Sequence, residues 1–260
     1  MVLLNVDFHS DVLGHAVSMK VLLPQEASTQ IGMGGSAGET YRTLLLLHGL
    51  SDDHTIWQRR TSIERYAAGY NMAVIMPNAE RSYYTNMKTG DRYADHIFLE
   101  VPAVARSLFR GLSDRREDNF IAGLSMGGYG AAKGALLYPD RFRAAACFSP
   151  HADLAITFSK HRDDPMFVNI FGPTDDFEGS ENDIRVMAPR LARSGAPLPD
   201  FYISCGTSDS LITHSRSMRD MLRANGYNVE YGETEGAIHN WEFWDVEIQK
   251  ALKFFDELSK

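Results

Sequence analysis

The sequence predicts an α/β fold, in which helices cover both faces of a mostly parallel central sheet. The first observation is that short apolar runs alternate with helical patterns along most of the chain, which favours a parallel sheet. The second is the run of four leucines within residues 43–48, which is typical of a strand buried on both faces. The chain has 260 residues and neither an internal repeat nor a linker, so we predict one domain over residues 1–260.

Apolar runs with clear stops predict the strands of this sheet. The predicted strands span residues 17–23, 43–48, 72–76, 142–148, 198–205 and 229–232, and one more apolar run lies directly before Ser125. Pro77 ends the strand at residues 72–76, and Ser149-Pro150 ends the strand at residues 142–148, because proline lacks the backbone N–H that a ladder needs.

Helical patterns lie between these strands. They cover residues 58–70, 92–109, 215–224 and 241–258, and an Ala-rich pattern follows Ser125. Pro102 predicts a kink or a restart inside the second of these helices. Asn225-Gly226 is typical of a helix C-terminus and ends the third.

Two segments interrupt the alternation. Residues 30–39 are rich in glycine and predict a mobile loop. Residues 151–182 contain two prolines and two glycines but no long periodic run, so we predict an insertion that follows a strand and forms a small cap over the site.

Charge and hydropathy exclude several classes of protein. The formal net charge is −8 with acids and bases interspersed, so nucleic acid is not an expected partner, because phosphate binding needs a basic face. No apolar run approaches the roughly 20 residues that span a bilayer, so no membrane partner is expected. The N-terminus has no basic start and only a short apolar stretch, which argues against a signal peptide.

The chain has two cysteines, Cys147 and Cys205, and both lie in apolar runs at strand ends. We expect two buried, reduced thiols. Low cysteine usage without a signal peptide favours the cytoplasm.

The most informative motif is Gly123-Leu124-Ser125-Met126-Gly127, which lies between an apolar run and a helical pattern. This strand, turn and helix order predicts a nucleophile elbow, a sharp turn that exposes a strained serine above the sheet edge. Glycines are expected on both sides of Ser125, because the strand and the helix approach each other closely there. Gly-x-Ser-x-Gly alone is a common motif, and its flanking elements make it specific.

Residues directly after the other strands complete a set of reactive groups, since ligands of such sheets bind beyond the carboxyl ends of the strands. His48 follows the leucine run, Asp209 follows residues 198–205, and His239 follows the last strand. Ser125, Asp209 and His239 therefore have the chain order and the placement of an α/β-hydrolase triad.

The chemistry requires these residue types, because a serine hydroxyl is a poor nucleophile at neutral pH. His239 is predicted to take the hydroxyl proton and return it to the leaving group. Asp209 is predicted to hold the imidazole in the correct tautomer. The backbone N–H groups of Met126 and Leu50 are the predicted oxyanion donors. Histidines titrate near about pH 6.5, so activity should fall as the pH drops through about 6–7.

Each assignment has a structural alternative. Asp209 could cap the helix that follows it, and His239 could be a surface histidine with its hydrogen bonds satisfied. His48 precedes the serine and is predicted to shape the oxyanion turn. The remaining internal histidines lie in predicted loops or helices and are expected to be solvated: His54, His96, His151, His161 and His214.

Two patterns superficially suggest other ligands. His151-Ala152-Asp153 and residues 161–164 contain metal-ligand types, but no matching ligand set accompanies them, so no metal is expected. Residues 32–38 resemble a phosphate loop but lack Gly-Lys-Ser/Thr and open no helix.

Aromatic residues near the strand ends are candidates for a pocket wall, with core packing as the alternative. They are Trp57, Tyr83, Tyr84, Phe171, Trp241 and Trp244. We select Trp57, Tyr84 and Trp241 as the predicted substrate contacts.

Several blocks from about residue 40 to the C-terminus resemble the esterase D group of α/β-hydrolases, and within it the small tributyrin esterase-like carboxylesterases. The blocks are residues 46–57 with His48-Gly49 and Trp57, Met76-Pro77-Asn78 with residues 81–85, Glu100-Val101-Pro102, residues 120–130, Cys205-Gly206 leading to Asp209, and His239-Asn240-Trp241. The resemblance implies hydrolysis of small-molecule short-chain acyl esters by a Ser-His-Asp triad without a cofactor. It also implies a possible dimer or tetramer, since relatives commonly form them.

Two sister groups resemble the chain in the same core. S-formylglutathione hydrolases usually carry Leu-Thr-Cys where this chain has Leu50-Ser51-Asp52. Feruloyl and acetyl-xylan esterases share the elbow and the triad order, but they often act outside the cell. A non-catalytic hydrolase-fold binding protein and an acyltransferase remain as further alternatives; fluorophosphonate labelling distinguishes the first, and product analysis with an alcohol acceptor distinguishes the second.

Overall fold

The structure is a computed structural model that describes residues 1–26, 29, 40–160 and 163–259. Its strands are β1 (Val2–Ser10), β2 (His15–Leu23), β3 (Arg42–Leu47), β4 (Met72–Pro77), β5 (Asn119–Leu124), β6 (Ala144–Phe148), β7 (Asp200–Gly206) and β8 (Val229–Thr234). They form one sheet in the order β1-β2-β4-β3-β5-β6-β7-β8. Strands β3 to β8 run parallel, and β1 and β2 are antiparallel to their neighbours. The predicted α/β class with a mostly parallel sheet is confirmed.

Helices connect the parallel strands and cover both faces of the sheet. They are α1 (Ile56–Arg60), α2 (Ile63–Ala68), α3 (Tyr93–Asp95), α4 (Val101–Leu108), α5 (Met126–Leu137), α6 (Leu154–Lys160), α7 (Pro165–Phe171), α8 (Thr174–Phe177), α9 (Ile184–Ala192), α10 (Ile212–Ala224) and α11 (Trp241–Glu257). A π-helical turn (His96–Glu100) joins α3 to α4, and a 3₁₀ turn (Arg116–Asp118) precedes β5.

The leucine run shows how the sheet divides the core. Leu45 and Leu47 contribute to one buried apolar cluster, and Leu44 and Leu46 contribute to the other. Successive strand side chains point to opposite faces, so a strand that is covered on both sides needs apolar residues at every position. The first cluster includes residues of α4, α5 and α9, and the second includes residues of α1, α2 and α11.

Strand β1 is absent from the sequence prediction, although its pattern is present in the chain. Leu4, Val6 and Phe8 alternate with the polar Asn5 and Asp7, which is typical of an edge strand. The strand pairs with β2 along its whole length, from Val2 opposite Leu23 to Ser10 opposite His15. The early strand predicted at residues 17–23 corresponds to β2.

Two helix predictions need correction, and one helix after the predicted insertion was missed. The pattern at residues 58–70 forms α1 and α2, which are separated at residues 61–62. The pattern at residues 92–109 forms α3, the π-helical turn and α4, and the backbone stays helical through both junctions, so the predicted restart at Pro102 is wrong and the predicted kink stays a prediction. Helix α9 was not predicted because Pro189 interrupts its pattern, and its N-cap Asp183 accepts a hydrogen bond from the Arg185 N–H.

Cys147 and Cys205 are buried and free, as predicted. None of the helices within the described residues combines the length and the apolar character needed to cross a membrane. The glycine-rich segment at residues 30–39 lies outside the described residues.

Candidate active site

Ser125 occupies a strained turn between β5 and α5. Its backbone angles are φ 53° and ψ −116°, a conformation that non-glycine residues rarely adopt. Such strain costs on the order of 1–3 kcal/mol and persists only where the surrounding structure enforces it. Here the Ser125 N–H donates to the Phe148 carbonyl at 2.9 Å, and the Ser125 carbonyl accepts from the Gly128 N–H at 3.0 Å. These bonds give the turn the geometry of a nucleophile elbow.

Two glycines permit this turn. A Cβ on Gly123 would lie 2.3 Å from the Gly127 carbonyl oxygen, and a Cβ on Gly127 would lie 2.6 Å from the His48 carbonyl oxygen. Both obstacles are backbone atoms, which cannot rotate away as a side chain would. The predicted close approach of strand and helix is therefore confirmed.

His239 and Asp209 form a direct pair at the same end of the sheet. The His239 Nδ1 lies 2.8 Å from the Asp209 Oδ2, and the Asp209 side chain is fully buried, while 32% of the His239 side chain remains exposed. Burial by itself would raise the pKa of Asp209, but hydrogen bonds from His239 and from the Leu211 N–H lower it below its usual range. The carboxylate is thus ionised and accepts the Nδ1 proton, which leaves Nε2 as the basic nitrogen of the neutral ring.

Asp209 is not the N-cap of α10, because that position is Leu211 and no side chain caps it, but Asp209 does order the turn before the helix. Its Oδ1 accepts from the Leu211 N–H at 2.8 Å, just before α10 begins. One carboxylate oxygen therefore orders the start of α10 and the other holds His239. The His239 ring also packs edge-on against Trp244, with ring centroids 4.8 Å apart.

Both nitrogens of the His48 imidazole form hydrogen bonds, and these bonds fix the turn that begins at His48. The Ala79 N–H donates to Nε2 at 2.9 Å, so the ring proton is on Nδ1, which donates to the Gly49 carbonyl at 2.7 Å. The side chain is almost completely buried, and this burial lowers the pKa of His48 and keeps the ring neutral. The predicted shaping of the turn by His48 is consistent with these bonds.

Leu50 follows this turn, and Met126 follows the serine. Within the described residues, no hydrogen bond engages the backbone N–H of Leu50 or of Met126. Both amides are therefore available as donors at the carboxyl edge of the sheet. Met126 is the first residue of α5, so its N–H also carries part of the positive end of that helix dipole.

Two of the predicted substrate contacts serve a different purpose. Trp57 is 1% exposed and donates from Nε1 to the Leu47 carbonyl, and Tyr84 is 0% exposed and donates to the His48 carbonyl. Both side chains therefore belong to the core and fix the backbone of the oxyanion turn, which corrects their expected place in the pocket wall. Trp241 is half-buried between Trp57 and Trp244 and remains a predicted wall residue.

The expectation that the remaining internal histidines are solvated is wrong for His96 and His214. Both are buried, at 1% and 5% exposure. His96 lies beside Glu100, with its Nδ1 2.6 Å from the carboxylate, and His214 accepts from the Asp153 N–H. His161 lies outside the described residues. In the part of the chain that the structure describes, no three metal-ligating side chains converge.

Sequence reasoning missed one group next to Ser125. The His151 N–H donates to the Ser125 carbonyl at 3.1 Å, and the His151 Nδ1 lies 2.8 Å from the Tyr83 hydroxyl. The His151 Nε2 in turn contacts the Thr157 hydroxyl of α6 at 2.6 Å. His151 follows the carboxyl end of β6. The argument that predicted Asp209 and His239, which examines the residues after strand ends, therefore applies to His151 as well.

Aromatic side chains from residues 151–182 pack on this group. Tyr83 contacts the rings of Phe167 and Phe171 at centroid distances of 5.7 and 5.6 Å, and Phe158 packs on Phe177 at 4.8 Å. Tyr83 and Tyr84 both have positive φ angles, 51° and 54°, so this loop holds two adjacent residues in a strained conformation.

The sheet, its strand order and the strained serine together define an α/β-hydrolase fold. A model of the Esterase family, described as "Putative esterase", matches residues 10–255. The chain belongs to this esterase family and is an enzyme that hydrolyses esters.

Individual relatives agree with this family. The chain is 28% identical over 271 residues to a protein named acetyl esterase from Caldicellulosiruptor saccharolyticus, with 100% of both chains covered. It is similar to the substrate-bound structure of FphF, a fluorophosphonate-binding serine hydrolase of Staphylococcus aureus, at 33% identity, 98% coverage of both chains and a TM-score of 0.88. It is also similar to the S-formylglutathione hydrolase FrmB of S. aureus, at 33% identity, 98% coverage of both chains and a TM-score of 0.85.

Proposed function

We propose that the protein is a serine carboxylesterase that hydrolyses short-chain acyl esters through Ser125, His239 and Asp209. The observation that carries the proposal is the buried Asp209 carboxylate on His239 Nδ1, at the sheet edge where Ser125 occupies its strained turn. A buried carboxylate on one ring nitrogen leaves the other nitrogen as a base. The relative named acetyl esterase supports a short acyl group.

The reaction proceeds through an acyl-enzyme. The Ser125 Oγ attacks the ester carbonyl carbon, and the His239 Nε2 takes the hydroxyl proton. The carbonyl oxygen becomes an oxyanion, which accepts hydrogen bonds from the Leu50 and Met126 N–H groups. The bond to the alcohol oxygen then breaks, and that oxygen takes the proton from His239. Water repeats the sequence, releases the carboxylic acid and restores Ser125.

The buried residues around His48 explain how the oxyanion donors stay in place without substrate. Tyr84 and Trp57 hold the carbonyls of His48 and Leu47, so the Leu50 N–H is directed before the reaction begins. Preorganised donors of this kind account for about 10²–10³ in rate for each donor removed.

The Ser125→Ala variant tests the proposal. It should lose at least about 10⁴-fold in kcat for p-nitrophenyl acetate, as in other hydrolases whose triad serine is removed. The matched control is Ser210→Ala, an exposed serine next to Asp209 that should keep full activity. Stoichiometric labelling by a fluorophosphonate in wild type but not in Ser125→Ala gives a second readout. Undiminished turnover in Ser125→Ala would refute the role of this serine.

A second candidate is thioester hydrolysis of the S-formylglutathione type, which the similarity to FrmB favours. The same triad and oxyanion donors would serve it, with a thiol in place of the alcohol as leaving group. A panel of p-nitrophenyl esters from acetate to octanoate, measured beside S-formylglutathione and methyl ferulate, separates the candidates by their kcat/KM values. We expect the highest value for acetate or butyrate. A value for S-formylglutathione that exceeds every simple ester would favour the second candidate.

A further inference from the structure

A cavity lies at the opposite end of the sheet from Ser125. It has a volume of about 230 Å³ and is bounded by the amino-terminal ends of β3 and β5, by α4 and by the loop before β6. Ser125 lies six positions along the chain from Asn119, which lines the cavity at the start of β5. At about 3.3 Å per strand residue, this separation is about 20 Å. The cavity is therefore distinct from the candidate active site.

The interior of the cavity is apolar. Its walls include Leu45, Ile75, Phe98, Phe120 and Phe142, all of which are buried. An engineered cavity of about 150 Å³ with a similar lining binds benzene, so about 230 Å³ accommodates a chain of about six carbons. The size is below the roughly 300–1,000 Å³ of pockets for drug-sized ligands, which indicates a small occupant.

The cavity also has an unsatisfied polar atom. Thr43 is 6% exposed and lines the cavity, and its Oγ1 has no hydrogen-bond partner. Buried hydroxyls almost always have a partner, so the Thr43 hydroxyl offers a free hydrogen-bonding group to a polar occupant of the cavity. Thr43 is on the same side of β3 as Leu45, at the end farthest from His48.

Two arginines add a positive charge at the mouth of the cavity. Arg106 from α4 is half-buried, and Arg141 from the loop after α5 is exposed, with its guanidinium 5.8 Å from the centre of the Tyr138 ring. Neither arginine has a carboxylate partner within the described residues. Burial and the neighbouring Arg141 charge lower the pKa of Arg106, so the two guanidinium groups repel each other. Asp114 also lines the cavity, and two positive charges with one negative charge leave a net charge of +1.

We propose that this cavity binds a small carboxylate with an apolar tail, its tail between α4 and the amino ends of β3 and β5 and its carboxylate on Arg106 and Arg141. A guanidinium group pairs with a carboxylate through two parallel hydrogen bonds, and an anion between two arginines removes their repulsion. The Thr43 hydroxyl contributes a further donor at the polar part of the ligand. This inference does not depend on the proposed esterase function.

Direct binding of hexanoate tests the proposal, with hexanol and acetate as probes for the tail and the head alone. Ligand-observed NMR should show hexanoate binding at least tenfold tighter than either probe. Arg106→Gln/Arg141→Gln should weaken hexanoate binding at least tenfold, with unchanged kcat/KM for p-nitrophenyl acetate. The matched control is Arg110→Gln, which removes an exposed arginine outside the cavity lining and should leave binding unchanged.

Three outcomes would overturn the proposal. Equal affinity for acetate and hexanoate would mean a simple anion patch. Hexanoate binding that is insensitive to the double substitution and competitive with substrate would place it at the active site. No binding at millimolar concentration would mean that the cavity does not accept this class of ligand. Because binding is measured directly, failure of the esterase proposal would leave these results interpretable, and failure of hexanoate binding would leave the esterase assay unaffected.

Discussion

The His239 Nδ1 lies 2.8 Å from the Asp209 Oδ2, and the two side chains differ sharply in exposure, at 32% and 0%. The Asp209 carboxylate is buried in the protein, whereas the His239 ring is partly exposed. A buried carboxylate without a partner would be costly, so the hydrogen bonds from His239 and the Leu211 N–H stabilise its ionised form. The same bond fixes the ring tautomer that a base needs.

Asp209→Asn should therefore impair catalysis much more than folding. The amide can donate to Nδ1 and favour the wrong tautomer, and in the serine protease template this change lowers kcat by about 10⁴-fold. We expect a loss of about 10³–10⁴-fold in kcat for p-nitrophenyl acetate. Steady-state kinetics measure the loss, and circular dichroism checks the fold. Asp53→Asn, at an exposed carboxylate near the oxyanion turn, is the control and should change kcat less than twofold. Near-normal kcat in Asp209→Asn would contradict the orienting role.

Tyr84→Phe should reduce both stability and rate, because its hydroxyl donates to the His48 carbonyl in the buried oxyanion turn. Loss of a partner for a buried carbonyl costs about 1–3 kcal/mol of unfolding free energy. A looser Leu50 N–H should lower kcat about tenfold, less than the complete loss of an oxyanion donor. Urea unfolding and initial-rate kinetics measure the two effects.

Tyr227→Phe is the matched control for Tyr84→Phe. Tyr227 is also buried, and its hydroxyl donates to the Ala188 carbonyl at 2.9 Å, away from the candidate site. It should lose a similar free energy of unfolding and keep its kcat. If both variants lowered kcat alike, the rate effect would reflect general destabilisation.

Gly123→Ala should destabilise the protein severely. The added Cβ would lie 2.3 Å from the Gly127 carbonyl oxygen, and relief requires that β5 and α5 separate. Overpacking costs about 1–3 kcal/mol where side chains can adjust, so a clash between backbone segments should cost at least about 3 kcal/mol. Gly232→Ala in β8 is the control, because its Cβ would meet nothing within 4 Å. Equal midpoints for the two variants in urea unfolding would contradict the close approach at the elbow.

Lys133 should make stability depend on pH. It is buried in α5, with its Nζ 2.9 Å from the Thr85 hydroxyl and 2.6 Å from the Asn182 Oδ1. Burial lowers the pKa of Lys133 to about 7, and the nearby charges of Glu181 and Asp95 oppose this shift. In the unfolded chain a lysine titrates near about 10.4, so between these values the unfolded state binds more protons. The free energy of unfolding from this group should therefore rise as the pH increases from about 7 to about 10, by a few kcal/mol.

Urea unfolding at several pH values, compared between wild type and Lys133→Met, isolates this contribution. The variant should lack the rise, whatever constant offset follows from the lost bonds to Thr85 and Asn182. Lys253→Met, at an exposed lysine of α11, should keep the wild-type slope. Parallel slopes in wild type and Lys133→Met would show that the lysine titrates normally when folded.

Site residues could be predicted from the sequence where they lie just beyond the carboxyl ends of strands. Ser125, Asp209 and His239 were predicted because each lies at or shortly after the end of a recognisable apolar run, and parallel strands bring such positions to one edge. His151 also follows a strand, but it was predicted to be solvated, because its contacts with Tyr83 and Thr157 join segments that are distant in the chain or belong to an unpredicted helix. Strand β1 was missed although its alternation is visible, and α9 was missed because Pro189 breaks its pattern.

The sequence alone could not decide whether an aromatic residue near the site belongs to the core or to the pocket wall. Trp57 and Tyr84 follow strand ends just as the reactive groups do, but in the structure they are buried under the His48 turn. An aromatic ring with one polar atom is suited both to the core and to a pocket wall. Which of the two it occupies depends on whether a buried backbone carbonyl lies within reach of its polar atom. The buried histidines His96 and His214 show the same ambiguity.

The sequence by itself determined the α/β class and the elbow turn, and it predicted Ser125, Asp209 and His239 as the reactive groups, because period, turn chemistry and chain order are local properties of the chain. Only the tertiary structure decided which aromatic residues support the oxyanion turn, that Asp209 is sealed while His239 is accessible, and that Arg106, Arg141 and Thr43 line one cavity far from Ser125. These facts depend on contacts between segments that are distant in the chain, and burial and proximity of that kind arise only when the sheet and its helices pack together.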